Sequence, residues 1–289
     1  MSIKDILRSS KQKLEFSEIP SVDAELMLAH VLGVARMELH ARDFTLLPEQ
    51  EELYAEMIEA RISGTPTQYL TGEAPFRYLT FSVGAGVLIP RPETELLVDA
   101  ALVEIERIQS APNFKTRNPV SVVDLGAGSG AISISIAHEA NQRKMPVNVV
   151  AVEKSAAAAE WLKKNISRHE VDVRIINSDV SDALIDVKCD IVVANPPYVP
   201  NETKLPKLVA DNEPSEALFG GSVDGMQVPV TFIAAATRLL KPGGYLVLEH
   251  FESQSAALER ELMPHYSEIS HYTDLNQRPR WMTARRKGE

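Results

Sequence analysis

The run Val120–Leu125 is apolar except for Ser121 and Asp124. It ends in Gly126-Ala127-Gly128-Ser129-Gly130, and a helical pattern begins at once. Glycines let a backbone turn tightly and approach a ligand closely. The helix that follows offers free amide donors at its N-terminus. In parallel α/β sheets the crevice beyond a strand's carboxyl end is where ligands bind. The rest of the C-terminal two thirds reads the same way. Short apolar runs at 147–152, 173–176, 191–194 and 245–248 alternate with helical patterns near 129–140, 155–169, 226–240 and 253–263. That alternation predicts an α/β fold with a parallel, doubly wound sheet. Two extended segments, 265–273 and 280–285, have no helix between them, which predicts an antiparallel hairpin at the end of the sheet.

The N-terminal region, 1–74, reads as all-α. Ser21 is placed to cap a helix with Leu26, Met27, Val31 and Leu32 at helical spacing, and Gly33 to stop it. Pro48 opens a second helix with Leu53, Met57, Ile58 and Ile62 on one face, ending at Gly64. Thr65-Pro66 restarts a short helix through Tyr69 and Leu70. The region holds 7 basic and 13 acidic residues, a solvated surface or a docking face for a basic protein. From 75 to 91, Phe76, Tyr78 and Thr80 alternate with Arg77, Leu79 and Phe81, and Gly84 and Gly86 mark a turn. This reads as a hairpin linker. Pro92 starts the remaining domain, 92–289, with a helix carrying Leu96, Leu97, Ala100 and Ala101; the polar stretch 110–118 reads as a loop.

Composition excludes several classes. With 44% hydrophobic and 24% charged residues the chain is not disordered. Lys and Arg number 30 against 40 Asp and Glu, a net charge of -10. Broad nucleic-acid binding through phosphate neutralisation calls for the opposite sign. Cys189 is the single cysteine, so an internal disulfide is impossible, in keeping with a reducing compartment. Lys4, Asp5, Arg8, Lys11 and Lys13 interrupt the first apolar residues, leaving no signal-peptide core. No uncharged apolar run approaches the ~18 residues of a membrane span. The expectation is a cytoplasmic protein with no metal and no membrane contact.

The loop spacing is G-x-G-x-G with Asp124 two residues ahead, not the G-x-G-x-x-G of dinucleotide-binding dehydrogenases. It resembles the first motif of class I, Rossmann-like methyltransferases, which bind S-adenosylmethionine. Glu153, at the end of the second strand, is placed to accept hydrogen bonds from both ribose hydroxyls. Asp179, after the third strand, is placed to meet the adenine edge or to cap a following helix. The fourth strand breaks into Asn195-Pro196-Pro197-Tyr198. Paired prolines have no N–H and fix φ, so they hold this loop rigid. The Asn195 side-chain oxygen and the Pro196 carbonyl can accept both hydrogens of one planar –NH2 group, and the Tyr198 ring offers it a flat face. The lone pair of an amide or aromatic amine is delocalised. Two acceptors on its N–H groups favour the electron-rich nitrogen of a methyl-transfer transition state.

Other segments narrow the resemblance. Gln68-Tyr69-Leu70-Thr71-Gly72 precedes Val87-Leu88-Ile89-Pro90-Arg91-Pro92-Glu93-Thr94-Glu95. Glu213-Pro214, Ala217-Leu218, Gly220-Gly221, Asp224-Gly225 and Leu248-Glu249-His250 with Gln254 follow in order. In spacing and order they resemble the peptide chain release factor glutamine methyltransferases, the PrmC/HemK family. The resemblance implies a small helical N-terminal domain that recognises substrate, a hairpin linker and a class I methyltransferase domain. It implies methylation of the side-chain amide of the glutamine in the Gly-Gly-Gln motif of release factors. It places the cofactor at Gly126, Ala127, Gly128, Ser129, Gly130, Glu153, Asp179, Val180 and Asn195. Substrate falls at Asn195, Pro196, Pro197 and Tyr198, which are the catalytic residues expected. The chain departs from the family pattern at Val180, often larger beside the adenine, around Tyr78, and at Pro229-Val230. Three further readings are a ribosomal-protein glutamine methyltransferase, a DNA adenine methyltransferase and a non-catalytic cofactor-binding module. A DNA enzyme needs a basic recognition element, and the one basic cluster is Arg278, Arg280, Arg285, Arg286 and Lys287. Arg91 and Glu93 read as site wall or helix-start ion pair, His250 as structural and Cys189 as inert packing.

Overall fold

A computed structural model describes residues 2–112 and 118–288; positions 113–117 of the expected 110–118 loop lie outside the described residues. The chain forms two compact units. The first holds residues up to Glu73 together with Val83–Ala85 and Leu205–Asn212. Its opening helices are α1 Ile3–Phe16, α2 Val22–Leu32, α3 Glu38–Ala41, α4 Pro48–Ile62 and α5 Thr67–Thr71. Leu7, Leu14, Met27, Leu28, Tyr54 and Ile58 form their common core. Arg61 and Asp23 pair at 2.7 Å, almost buried, tying α4 to α2.

Two local expectations fail here. Ser21 already has helical dihedrals and its side chain makes no capping bond. Leu26 and Leu53 are largely exposed. The inward stripes run instead through Ala24, Met27 and Leu28 and through Tyr54, Met57 and Ile58. A helix buries a stripe roughly 100° wide, so moving its centre by one residue turns a flanking leucine outward.

The second unit begins at Ala74, within a hairpin of strands β1 Glu73–Phe76 and β2 Leu79–Ser82. The hairpin's turn lies at Arg77–Tyr78, inside the 76–81 run that reads as alternating, and Arg77 carries a φ of 52°; a second turn follows at Ala85–Gly86, where the glycines pointed. A left-handed arginine is costly in isolation. Here Glu139 and Asp99 pair with its guanidinium and Glu95 accepts its backbone N–H at 2.8 Å. A 3-10 turn at Pro92–Thr94 leads into α6 Glu95–Gln109.

The layered part then runs β3 Val120–Leu125, α7 Ala131–Gln142, β4 Val147–Glu153, α8 Ala156–His169, β5 Val173–Asn177 and β6 Cys189–Ala194. It continues, after α9 Lys207–Ala210 of the first unit, with α10 Gln227–Leu239, β7 Leu240–Glu249, α11 Ser255–Leu262, β8 Tyr266–Thr273 and β9 Pro279–Arg286. The seven-stranded sheet has the order β5-β4-β3-β6-β7-β9-β8. Pairing is parallel from β5 to β7, and β9 runs antiparallel to both β7 and β8. The chain moves outward from β3 through β4 to β5, then crosses back to β6. The strand order reverses between β3 and β6, and such a reversal opens a crevice at the strands' carboxyl ends. Leu125 stands in register with Ala194, so the glycine loop and the Asn-Pro-Pro-Tyr loop leave the sheet side by side.

Candidate active site

A cavity of about 260 Å³ lies at this reversal. Gly126, Ala127, Gly128 and Ser129 line it, while Gly130 closes the turn behind them, its N–H donating to the Ala127 carbonyl at 2.8 Å. The three loop glycines have φ of 72°, 57° and 85°, a region that L side chains rarely enter. Next to β3, the carboxylate of Glu153 accepts from the Gly128 N–H at 2.8 Å and from the Ser155 N–H at 2.7 Å. One acidic side chain thus shapes the loop and faces the cavity, with lone pairs to spare for vicinal hydroxyls.

Asp179 and Val180 also line the cavity. Asp179 accepts from the Ser181 N–H at 3.0 Å and its hydroxyl at 2.8 Å, and these bonds lower its pKa. The segment it caps is a run of turns, not the helix expected there. Val180 is buried and packs into the core under the sheet.

Of the Asn-Pro-Pro-Tyr residues, Asn195 and Pro197 line the cavity, and Pro196 and Tyr198 are not among its lining residues. Asn195 Nδ2 donates to Thr94 Oγ1 at 3.1 Å. Its oxygen is thereby the end left to accept. The Tyr198 hydroxyl donates to Glu249 Oε1 at 2.9 Å, and burial holds the phenol well above its ordinary pKa. The loop is braced from below by Gln254, whose Nε2 donates to the carbonyls of Tyr198 at 2.9 Å and Asp224 at 2.8 Å.

Comparison with known proteins fits this geometry. Residues 5–72 match the PrmC N-terminal domain and residues 110–212 the methyltransferase small domain. A release factor glutamine methyltransferase of Bifidobacterium longum is 39% identical, covering 89% of this chain and 90% of its own. One from Mycolicibacterium smegmatis is also 39% identical, covering 92% and 91%. The chain belongs to the release factor glutamine methyltransferase family. A T. thermophilus 16S rRNA methyltransferase solved in complex with AdoMet and guanosine shares the fold, with a TM-score of 0.50 at 20% identity over 74% of this chain and 50% of that one.

Within this family member several side chains matter to which the motifs gave no role, and Arg91 takes the wall position weighed for it. Thr94 lines the cavity from the 3-10 turn, and Phe232 closes it from α10. Arg91 lines it too and pairs at 2.6 Å with the buried Glu213, not with Glu93. Glu213 also accepts the Ile89 N–H at 3.1 Å, so one carboxylate fixes both the wall and its arginine. The hydrogen-bond chain from Asn195 to Thr94 links residues 101 apart in sequence, beyond the reach of any local pattern. His250 is buried away from the cavity, its Nδ1 2.8 Å from the Phe251 carbonyl oxygen, and burial pushes its pKa down to about 4. Cys189 donates to the Leu239 carbonyl, and burial pushes its thiol up to about 12. Among the described residues no helix is long and apolar enough to cross a membrane.

Proposed function

We infer that this protein transfers a methyl group from S-adenosylmethionine to the side-chain amide nitrogen of the glutamine in the Gly-Gly-Gln motif of a peptide chain release factor. The observation that carries this reading is the Asn195 amide. It stands beside the glycine loop with its NH2 end tied to Thr94 and its oxygen left to accept. The cavity suits the cofactor: a side chain at Gly128 would meet no protein atom within 4 Å, which leaves open space where a ligand can approach the backbone. Gly126, Ala127, Gly128, Ser129, Gly130 and Glu153 would hold it, with Asp179 and Val180 beside the adenine and Asn195 near its methionine end. Bound S-adenosylmethionine supplies an electrophilic methyl on a sulfonium.

The protein's part is positioning and polarisation. Asn195 Oδ1 and the Pro196 carbonyl accept the two N–H groups of the substrate amide. This fixes the plane of the amide and favours the nitrogen's lone pair as it leaves conjugation. Pro196 and Pro197 keep the acceptors still. Tyr198 packs as the wall of the amide site. Residues 1–74 recognise the folded release factor, 75–91 connect, and 92–289 carry the chemistry. The setting is the cytoplasm. The net charge of -10 disfavours DNA as the target.

Transfer of labelled methyl to purified release factor tests the reading. We expect label on wild-type release factor and none when its motif glutamine is replaced. Label on a ribosomal protein or on DNA, with none on release factor, would reject it.

A further inference from the structure

An asparagine amide has two different ends, and only its oxygen can accept from a substrate N–H. Thr94 decides which end faces the cavity. Its single hydroxyl proton goes to Glu249 Oε2 at 2.7 Å. The Thr94 oxygen is then an acceptor, which the NH2 end of Asn195 satisfies at 3.1 Å and the oxygen end would not. The second oxygen of Glu249 accepts from Tyr198 at 2.9 Å. Thr94 is 4% exposed and Glu249 1%, so bulk water does not compete for these bonds.

We propose that Glu249 is the positioning residue of the active site: acting through Thr94 it turns the Asn195 amide so that Oδ1 meets the substrate, and with its other oxygen it anchors Tyr198. The proposal rests on the reading of Asn195 as an acceptor for the substrate amide. Glu249 itself stays behind the reacting groups. The charged and titratable groups around it are Tyr198 from the loop, Glu93 beside Thr94, and Arg280 from β9, which is itself paired with Asp274 at 3.4 Å. Burial outweighs the Thr94 and Tyr198 bonds and the Arg280 charge, and raises Glu249 to about 7. A protonated Glu249 can donate to Thr94. The threonine proton then turns toward Asn195, and the amide presents its NH2 end to the substrate. The methylation rate therefore falls as pH drops through about 7.

The test uses the full chain, release factor and labelled S-adenosylmethionine in single turnover. Thr94→Val keeps the shape and removes the hydroxyl. We expect a rate loss of roughly 10–10²-fold, below the full loss of an oriented donor or acceptor, with cofactor affinity by calorimetry unchanged. Thr94→Ser should restore most of the rate. In an Asn195→Ala background Thr94→Val should cost nothing further, because its effect runs through the missing amide. Glu249→Gln should abolish the acid limb of the rate profile; since burial also raises Asp124 to about 7, that disappearance assigns the limb. A wild-type rate in Thr94→Val, an additive loss in the Asn195→Ala background, or an acid limb that survives in Glu249→Gln would each overturn the proposal. If Thr94→Val does not fold, the serine variant and the Glu249→Gln profile decide it. Wild-type transfer is scored in the same assay, and its absence would overturn the functional reading and this proposal with it.

Discussion

On the proposed function Asn195 and Gly128 are the single residues on which the site turns, and their loss should act in different ways. Asn195→Ala removes one acceptor while the prolines keep the loop in place, so the single-turnover rate at saturating cofactor should fall roughly 10²–10³-fold. Asn195→Asp is the more telling change. The NH2 end of Asn195 is needed as a donor to Thr94, and the Thr94 proton is committed to Glu249. A carboxylate there would set oxygen against oxygen, so Asp should be as poor as Ala in single-turnover transfer. Activity clearly above Ala would mean that the donor end is dispensable. Gly128 has a φ of 57° and no neighbour within 4 Å of an added Cβ. Gly128→Val should therefore cost only about 1–2 kcal/mol of stability through backbone strain, yet abolish calorimetric binding of S-adenosylmethionine. Unchanged affinity in the folded variant would refute the loop assignment.

At the scale of elements, the site depends on a loop held from underneath. Gln254 opens α11 as its N-cap and is 3% exposed. Its oxygen accepts the Phe251 N–H at 3.0 Å while its nitrogen serves two carbonyls. Gly225 packs so close to the loop that an added Cβ would lie 2.3 Å from the Tyr198 carbonyl oxygen. Gln254→Leu fills similar volume but removes the partner of three partly buried backbone groups, the Phe251 N–H and the Tyr198 and Asp224 carbonyls, each hydrogen bond worth about 0.5–1.5 kcal/mol. We expect a clear fall in the urea midpoint with an unchanged slope, together with a slower methyl transfer. A wild-type midpoint would show that this brace is not needed. The hairpin shows the converse lesson. Its extended character and the later turn at Ala85–Gly86 were legible, but the turn that breaks the 76–81 alternation was not, because Arg77 adopts a left-handed conformation only against Glu139, Asp99 and Glu95. Glycine, the usual occupant of such a conformation, sits a few residues later, and the local signal pointed there.

For the whole molecule the buried acids set a pH dependence. Burial, with Glu153 adding to it and the Ser133 bonds opposing it, raises Asp124 to about 7. The folded chain keeps this proton over a range in which the unfolded chain has lost it. Stability from this group is therefore full below the ordinary aspartate pKa and falls as pH rises toward 7. Asp124→Asn should flatten the stability curve between pH 5 and pH 8 by on the order of 2–3 kcal/mol. Parallel curves for the two proteins in urea would contradict the buried ionisation. Charge also bears on the partner. Glu49, Glu52 and Glu56 are exposed on α4. Reversing them to Lys should raise KM for release factor several-fold and make kcat/KM less sensitive to salt, with cofactor binding unchanged. An unchanged KM would remove the acidic face from substrate recognition.

The sequence by itself determined the backbone vocabulary. Strand runs, helix periods, the glycine loop and the double proline are properties of neighbouring residues, and their steric and hydrogen-bonding limits act locally. It also marked Glu153 and Asn195, since each stands at the end of an apolar strand where a parallel sheet places ligands. The tertiary structure decided which ends meet. Only the order β4-β3-β6 sets the glycine loop beside Asn195, and only the arrival of the 3-10 turn and of β7 brings Thr94 and Glu249 behind it. Those contacts join segments more than a hundred residues apart. The orientation of one amide at the centre of the site is thus a property of the folded molecule, because hydrogen bonds between buried side chains exist only once the sheet has brought their strands together.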